Sequence, residues 1–361
     1  MHLNFITMRK HNFTAGPCIL PQQVLKQASE AVLNFNNDNL SLIEVSHRSA
    51  PIVAVMEKAR ALVLELLDLE NKGYSVLFLQ GGASLEFLMT PYNLLKTNGK
   101  AAYLDTGTWS SKAIKEAKLL GEVEVVASSK DKNYNYIPKK YTIGNDVDYF
   151  HCTSNNTIYG TQLKSFPKTE GLLVCDMSSD IFSRRLDFSQ FDLIYAGAQK
   201  NMGPAGTTLV VIKEDVLGNT GRQIPSMLDY QIHIAKDSMF NTPSVFAVYV
   251  SMLTLQWLKD LGGIDAIDKI NQAKADLLYN EIDSNPLFEG AAVKEDRSNM
   301  NATFLLTDER LKEKFDKLCK EAGIVGINGH RSVGGYRASM YNALSLESVE
   351  VLVNIMKELN K

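Results

Sequence analysis

The chain has 361 residues, of which 45% are apolar and 22% charged, with a net charge of −3. That length suits about two domains, and the composition is ordinary for a globular protein. An acidic balance excludes a global basic field for nucleic acid, so any grip on anions must come from local clusters. The four cysteines, Cys18, Cys152, Cys175 and Cys319, are scattered and form no C-x-x-C pair. A disulfide framework or structural zinc site is therefore not expected, and free thiols in a reducing compartment are. The longest apolar stretch, Val245 to Leu258, is interrupted by Ser251, Thr254 and Gln256 and is too short to span a membrane. The opening MHLNFITMRK lacks an apolar run of signal-peptide length, so a cytoplasmic location is expected.

In chain order, residues 21–34 and 52–67 carry helical periodicity. From about residue 70 to 215 short apolar runs alternate with helix-like stretches. Strands are predicted at 74–79, 101–104, 123–126, 148–151, 172–175, 193–196 and 208–212. Helices are predicted at 84–95 and 110–120. Such alternation, with buried strands, predicts an α/β domain with a parallel or mixed sheet. Long helices follow at 244–261 and 264–284, separated by Gly262-Gly263, which marks a candidate domain boundary. A strand at 302–306 and helices at 311–322 and 346–359 complete the reading.

In open α/β sheets ligands bind beyond the carboxyl ends of the strands, which directs attention to the residues after each one. Gln80-Gly81-Gly82-Ala83-Ser84 follows the first strand and opens a helix, a setting that suits one phosphate. Alone it reads equally as a tight turn. Trp109, in Asp105-Thr106-Gly107-Thr108-Trp109, could stack on a flat ring or simply pack. Asp176 ends the run 172–175, where a carboxylate is either catalytic or a turn former. Lys200 stands in Gly197-Ala198-Gln199-Lys200-Asn201-Met202-Gly203, among small and apolar residues where lysine is unusual. Desolvation lowers an amine's pKa, and a neutral amine can attack an aldehyde. A lysine for the imine, a carboxylate for the ring nitrogen, an anion cradle and an aromatic stacker together are what pyridoxal phosphate requires.

Six histidines and ten arginines make a His-Arg dipeptide improbable by chance, yet two occur, His47-Arg48 and His330-Arg331, the second followed by Arg337. Planar guanidinium forks grip carboxylates and phosphates, so these clusters predict a small dianionic substrate, with surface ion pairs as the bland alternative.

Nine motifs carry a resemblance to a known family: NFTAGPCILP (12–21), SHRS (46–49), FLQGGASLEF (78–87), TGTWS (106–110), TSNNTIYG (153–160), CDMSSD (175–180), GAQKNMGPAG (197–206), NTPSVF (241–246) and GHRSVGGYRASMYNA (329–343). The sequence resembles the phosphoserine aminotransferase family, within the class V, subgroup IV pyridoxal-phosphate aminotransferases. The resemblance implies fold type I. It implies an α/β large domain over 12–258 with a mixed, mainly parallel seven-stranded sheet. A smaller α+β domain over 259–361 follows, against which the N-terminal residues pack. It implies Lys200 as the Schiff-base lysine and proton shuttle, Asp176 as partner of the pyridine nitrogen, Trp109 as ring stacker, and Thr157 beside the ring hydroxyl. Ala83, Ser84 and Gln199 would hold the cofactor phosphate. Asn241 and Thr242 would reach it from a neighbouring subunit, which makes the expected assembly a homodimer with shared sites. Arg337 would bind the substrate α-carboxylate. His47 and Arg48, with His330 and Arg331 from the other subunit, would hold the distal anion. No metal is implied. The implied reaction moves the amino group of L-glutamate to 3-phosphonooxypyruvate, giving O-phospho-L-serine and 2-oxoglutarate in serine biosynthesis. A phosphorylated threonine-like substrate of pyridoxine biosynthesis is a second implied use. A serine–pyruvate or alanine–glyoxylate type aminotransferase is the alternative within the same fold. Two departures stand out: Ser84 occupies a position where some members carry arginine, and the first eleven residues match no motif, which leaves Met8 as an alternative start to Met1.

Overall fold

The computed structural model describes residues 9–359; both alternative start residues, Met1 and Met8, lie outside the described residues. In chain order the strands are β1 (His11–Asn12), β2 (Tyr74–Leu79), β3 (Lys100–Asp105), β4 (Glu122–Ser128), β5 (Tyr149–Thr153), β6 (Asn155–Asn156) and β7 (Thr161–Gln162). They continue with β8 (Leu172–Asp176), β9 (Leu193–Gly197), β10 (Thr208–Lys213), β11 (Phe288–Gly290), β12 (Asn301–Leu306), β13 (Ile324–Val325) and β14 (Tyr336–Ser339). Helices α1 (Gln22–Leu33), α2 (Ala50–Leu66), α3 (Gly82–Leu94), α4 (Thr108–Ala117), α5 (Ala198–Asn201) and α6 (Tyr230–Ala235) precede α7 (Val245–Asp260), α8 (Gly263–Ser284), α9 (Lys312–Glu321) and α10 (Leu346–Leu359).

Seven strands form one sheet in the order β2-β10-β9-β8-β5-β3-β4. Only β10 runs antiparallel to its neighbours, β2 and β9; the other pairs are parallel. This is the mixed, mainly parallel sheet that the motifs imply. Its strands read as unbroken apolar runs because both faces are covered. Alternate residues divide between the two layers. Val76, Phe78, Ile194 and Ala196 pack with Val63 of α2 and Val248 of α7. Leu77, Leu79, Leu193 and Tyr195 pack with Phe87 of α3 and Ala113 of α4 on the other side.

A third cluster forms around the three-stranded sheet β11-β12-β14, with Leu278 of α8, Phe315 of α9 and Leu352 of α10. Phe13 belongs to this cluster, and β1 pairs in parallel with β13. The helix α8 joins the two regions. Ile264 and Ile267 pack into the large core, while Ala275, Leu278 and Ile282 pack into the C-terminal one. No helix among the described residues is long and apolar enough to cross a membrane.

Candidate active site

The adjacent, parallel strands β8 and β9, in the interior of the sheet, deliver two chain segments side by side beyond their carboxyl ends. Asp176 is the last residue of β8, and Lys200 lies in the short helix α5 directly after β9. That turn is tied down from several directions. Ala198 N donates to Thr207 O at 3.1 Å and Gly203 N to Ala198 O at 2.9 Å. Asn201 Nδ2 donates to Ile181 O at 2.5 Å, and Asn342 N donates to Asn201 Oδ1 at 2.8 Å.

Lys200 and Asp176 line one cavity of about 460 Å³. Lys200 Nζ donates to Thr157 Oγ1 at 2.8 Å and lies 5.4 Å from the centroid of the Trp109 ring. Burial pushes its amine down to about 8; the Asp176 charge works against that shift and Arg337 adds to it. Asp176 Oδ1 accepts from Ser178 N at 2.9 Å. Burial raises the Asp176 carboxyl, while the charge of Lys200 and the Ser178 hydrogen bond pull it back. Each group therefore sits in the other's field.

Two helix N-termini open on the same cavity. The first turn of α3 carries Ala83 and Ser84, preceded by Gly81 at φ +99° and Gly82 at φ +67°. A Cβ on Gly81 would come within 2.6 Å of the Leu85 side chain, so both backbone and packing require glycine there. No side chain caps α3, which leaves its first N–H groups and positive dipole end for an anion. The first turn of α4 carries Trp109. It is braced by Asp105, whose carboxylate accepts from Ser111 Oγ at 2.7 Å and Ser128 Oγ at 2.8 Å. The indole Nε1 is buried without a partner.

The C-terminal region closes the cavity with Arg337 on β14 and with His330. Arg337 Nη1 donates to Thr157 O at 3.3 Å, its Nε has no partner, and no carboxylate pairs with it among the described residues. A half-buried guanidinium with free donors is prepared for an incoming carboxylate. His330 is pushed below its ordinary value, first by burial and then by Arg337 and Arg331. The loop folds back on itself, Gly329 N to Gly335 O at 2.9 Å and Gly334 N to His330 O at 2.8 Å. That fold-back brings His330 to the cavity of its own chain, whereas the family pattern would supply it from a neighbour.

Of the residues singled out in the sequence, the cavity gathers Ala83, Ser84, Trp109, Thr157, Asp176, Gln199, Lys200, His330 and Arg337. It does not gather His47, Arg48, Arg331, Asn241 or Thr242. His47 and Arg48 sit on the turn before α2, with Arg48 exposed. Asn241 lines a separate cavity of about 250 Å³ behind the glycine loop, and Thr242 O accepts from Gln80 Nε2 at 2.7 Å. Arg331 is exposed.

Sequence reasoning missed several lining residues. Gly16 backs the lysine so closely that a Cβ there would lie 3.3 Å from Lys200 Cγ. Lys112 follows Trp109 by about one helical turn, so helical spacing could have placed it on the same side of α4. Ser178, two residues beyond Asp176, was readable as its backbone partner through the Asx-turn habit of aspartate.

The aminotransferase class-V profile matches residues 10–352. The chain belongs to the class-V aminotransferase family. A phosphoserine aminotransferase of Flavobacterium psychrophilum is 71% identical over 98% of this chain and 99% of its own length. Among solved structures, phosphoserine aminotransferase from Bacillus circulans subsp. alkalophilus superposes with a TM-score of 0.94 at 44% identity, covering 98% of each chain. The pyridoxal-phosphate-bound phosphoserine aminotransferase from Trichomonas vaginalis superposes at 0.92 with 36% identity, covering 97% of this chain and 100% of its own. For a class-V aminotransferase the cavity chemistry fits the cofactor. An uncapped helix end suits a phosphate, an unpaired indole a flat ring, a buried carboxylate a ring nitrogen, and a desolvated amine an aldehyde.

Proposed function

We propose that this enzyme transfers the amino group of L-glutamate to 3-phosphonooxypyruvate, reversibly giving O-phospho-L-serine and 2-oxoglutarate. Its cofactor is pyridoxal 5'-phosphate. The observation that carries the reading is one cavity holding the Lys200 amine, the Asp176 carboxylate and the unpaired Arg337 guanidinium, in a chain closely similar to phosphoserine aminotransferases. When bound, the cofactor supplies the aldehyde that carries the amino group and a ring that accepts electrons.

The protein's own residues divide the remaining work. Lys200 Nζ, lowered towards neutrality, holds and moves the proton at the substrate Cα. Thr157 keeps that amine aimed through its hydroxyl and, through its carbonyl, also touches Arg337. Asp176 holds a proton at the ring nitrogen. Trp109 supports the ring face, and the first turn of α3 with Gln199 receives the phosphate. Arg337 orients the substrate by its α-carboxylate, which is common to glutamate and phosphoserine. The two substrates differ at the distal end, and there we assign His47 and Arg48, with His330 and Arg331. His47, Arg48, Arg331, Asn241 and Thr242, which lie outside the cavity of their own chain, complete the site of a second copy. A monomeric enzyme with full activity would break that part of the assignment.

The reaction is tested on the purified protein by comparing amino transfer from O-phospho-L-serine to 2-oxoglutarate with transfer from L-alanine to glyoxylate. Strong preference for the phosphorylated pair is expected. Equal rates would overturn the substrate assignment in favour of an alanine–glyoxylate type enzyme.

A further inference from the structure

The cavity contains a cation with no assigned task. Its lysines and arginine are Lys112, Lys200 and Arg337. Lys200 is committed to the cofactor aldehyde and Arg337 to the α-carboxylate, while His330 is held below its ordinary value by burial and by nearby arginines. The phosphate cradle in this chain, formed by Ala83, Ser84 and Gln199, consists of neutral donors. A phosphate monoester is a dianion near neutral pH, so a cradle of this kind leaves charge uncompensated.

Lys112 stands where that charge could be met. The helices α3 and α4 pack against each other, and their first turns both open on the cavity. The Lys112 ammonium lies over the indole, with Nζ 4.6 Å from the centroid of the Trp109 ring. The side chain is exposed at the cavity mouth and takes part in no salt bridge among the described residues. A lysine held over an aromatic face keeps its charge near the site while its three donors stay free.

We propose that Lys112 is a further ligand of a phosphate monoester dianion in this site, with the indole of Trp109 as the surface over which its ammonium swings. The inference rests on the reaction assigned above. Two phosphates are available as its partner, that of the amino-group donor or acceptor and that of the cofactor, and the test separates them.

The test compares Lys112→Met, which keeps an unbranched side chain without the charge, with Lys112→Arg, which keeps the charge. If the substrate phosphate is the partner, Lys112→Met raises KM for O-phospho-L-serine about tenfold and KM for L-glutamate by less than about threefold. If the cofactor phosphate is the partner, Lys112→Met raises the apoenzyme Kd for pyridoxal phosphate about tenfold and leaves that for unphosphorylated pyridoxal unchanged. In either case Lys112→Arg stays within about threefold of the parent enzyme. A Lys112→Met enzyme within about twofold of the parent on both phosphorylated ligands overturns the proposal, as does an equal loss for pyridoxal. Failure of the parent enzyme to use O-phospho-L-serine would sink the reaction instead and leave the cofactor arm to judge Lys112.

Discussion

Lys274 and Lys200 both have amines withdrawn from water, and they do opposite things. Lys274 on α8 is fully buried, and its Nζ donates to three carbonyls, Met340 O at 3.0 Å, Tyr341 O at 2.9 Å and Leu344 O at 3.1 Å. Lys200 has one hydrogen bond, to Thr157, and otherwise faces a cavity. Burial pushes both amines down, to about 7 for Lys274 and about 8 for Lys200. Desolvation alone therefore does not mark a reactive amine. What separates the two is whether the donors are already engaged: three carbonyls saturate an ammonium, whereas a single hydroxyl leaves Lys200 able to reach a second partner. Lys274 instead fixes the segment after β14. That segment touches the site twice, since Tyr341 OH donates to Ala15 O at 2.7 Å and Asn342 N to Asn201 Oδ1 at 2.8 Å.

The contrast can be broken in four ways. The largest effect is expected from Lys200→Ala, which should lower transamination at least about a thousandfold while leaving the melting temperature of the cofactor-free protein nearly unchanged. Residual turnover above about a tenth would remove Lys200 from the chemistry. Next comes Lys274→Met, which takes the ammonium away from the Met340, Tyr341 and Leu344 carbonyls, leaving Tyr341 O with Leu344 N alone, and should cost about 2–4 kcal/mol in urea unfolding. A cost near zero would show that the three contacts do not matter.

Arg337→Lys should reduce kcat/KM about tenfold for every substrate, because a point charge cannot reproduce the guanidinium fork. An effect confined to one substrate would move Arg337 from the shared α-carboxylate to the distal anion. The smallest effect concerns pH. Attack on the aldehyde needs the unprotonated amine. Uptake of pyridoxal phosphate by the cofactor-free protein should therefore quicken several-fold as pH rises through about 8, and level off above it. Uptake that slows with rising pH would contradict a lowered Lys200.

How much of this was visible beforehand follows from the range of the contacts involved. The strands β2, β3, β8, β9 and β10 were readable to within a residue or so, because burial on both faces forces continuous apolar runs. Asp176 and Lys200 were readable because both stand beside such runs. The placement of β10 between β2 and β9 was not readable, since no local pattern states which strands become neighbours. The short strands β1, β13 and β14 also escaped, being two to four residues long and defined by distant partners. In IDKINQAKADLL nothing distinguishes Lys274 from an ordinary solvent-facing lysine, because its acceptors lie 66 to 70 residues away. The His47-Arg48 and His330-Arg331 pairs carried an opposite lesson. Dipeptide rarity flagged all four, yet only His330 reaches the cavity of its own chain.

The antiparallel course of β10 has one more consequence. A parallel connection from β9 would need a long crossover, usually with a helix laid over the sheet face. Here residues 198–207 return the chain directly to the adjacent strand, so the Schiff-base candidate rides on a taut bracket pinned at both ends to one rigid plate. Extra residues spliced into that bracket would dislodge the amine at once. Equal additions at an exposed stretch such as 36–40 would pass with little harm.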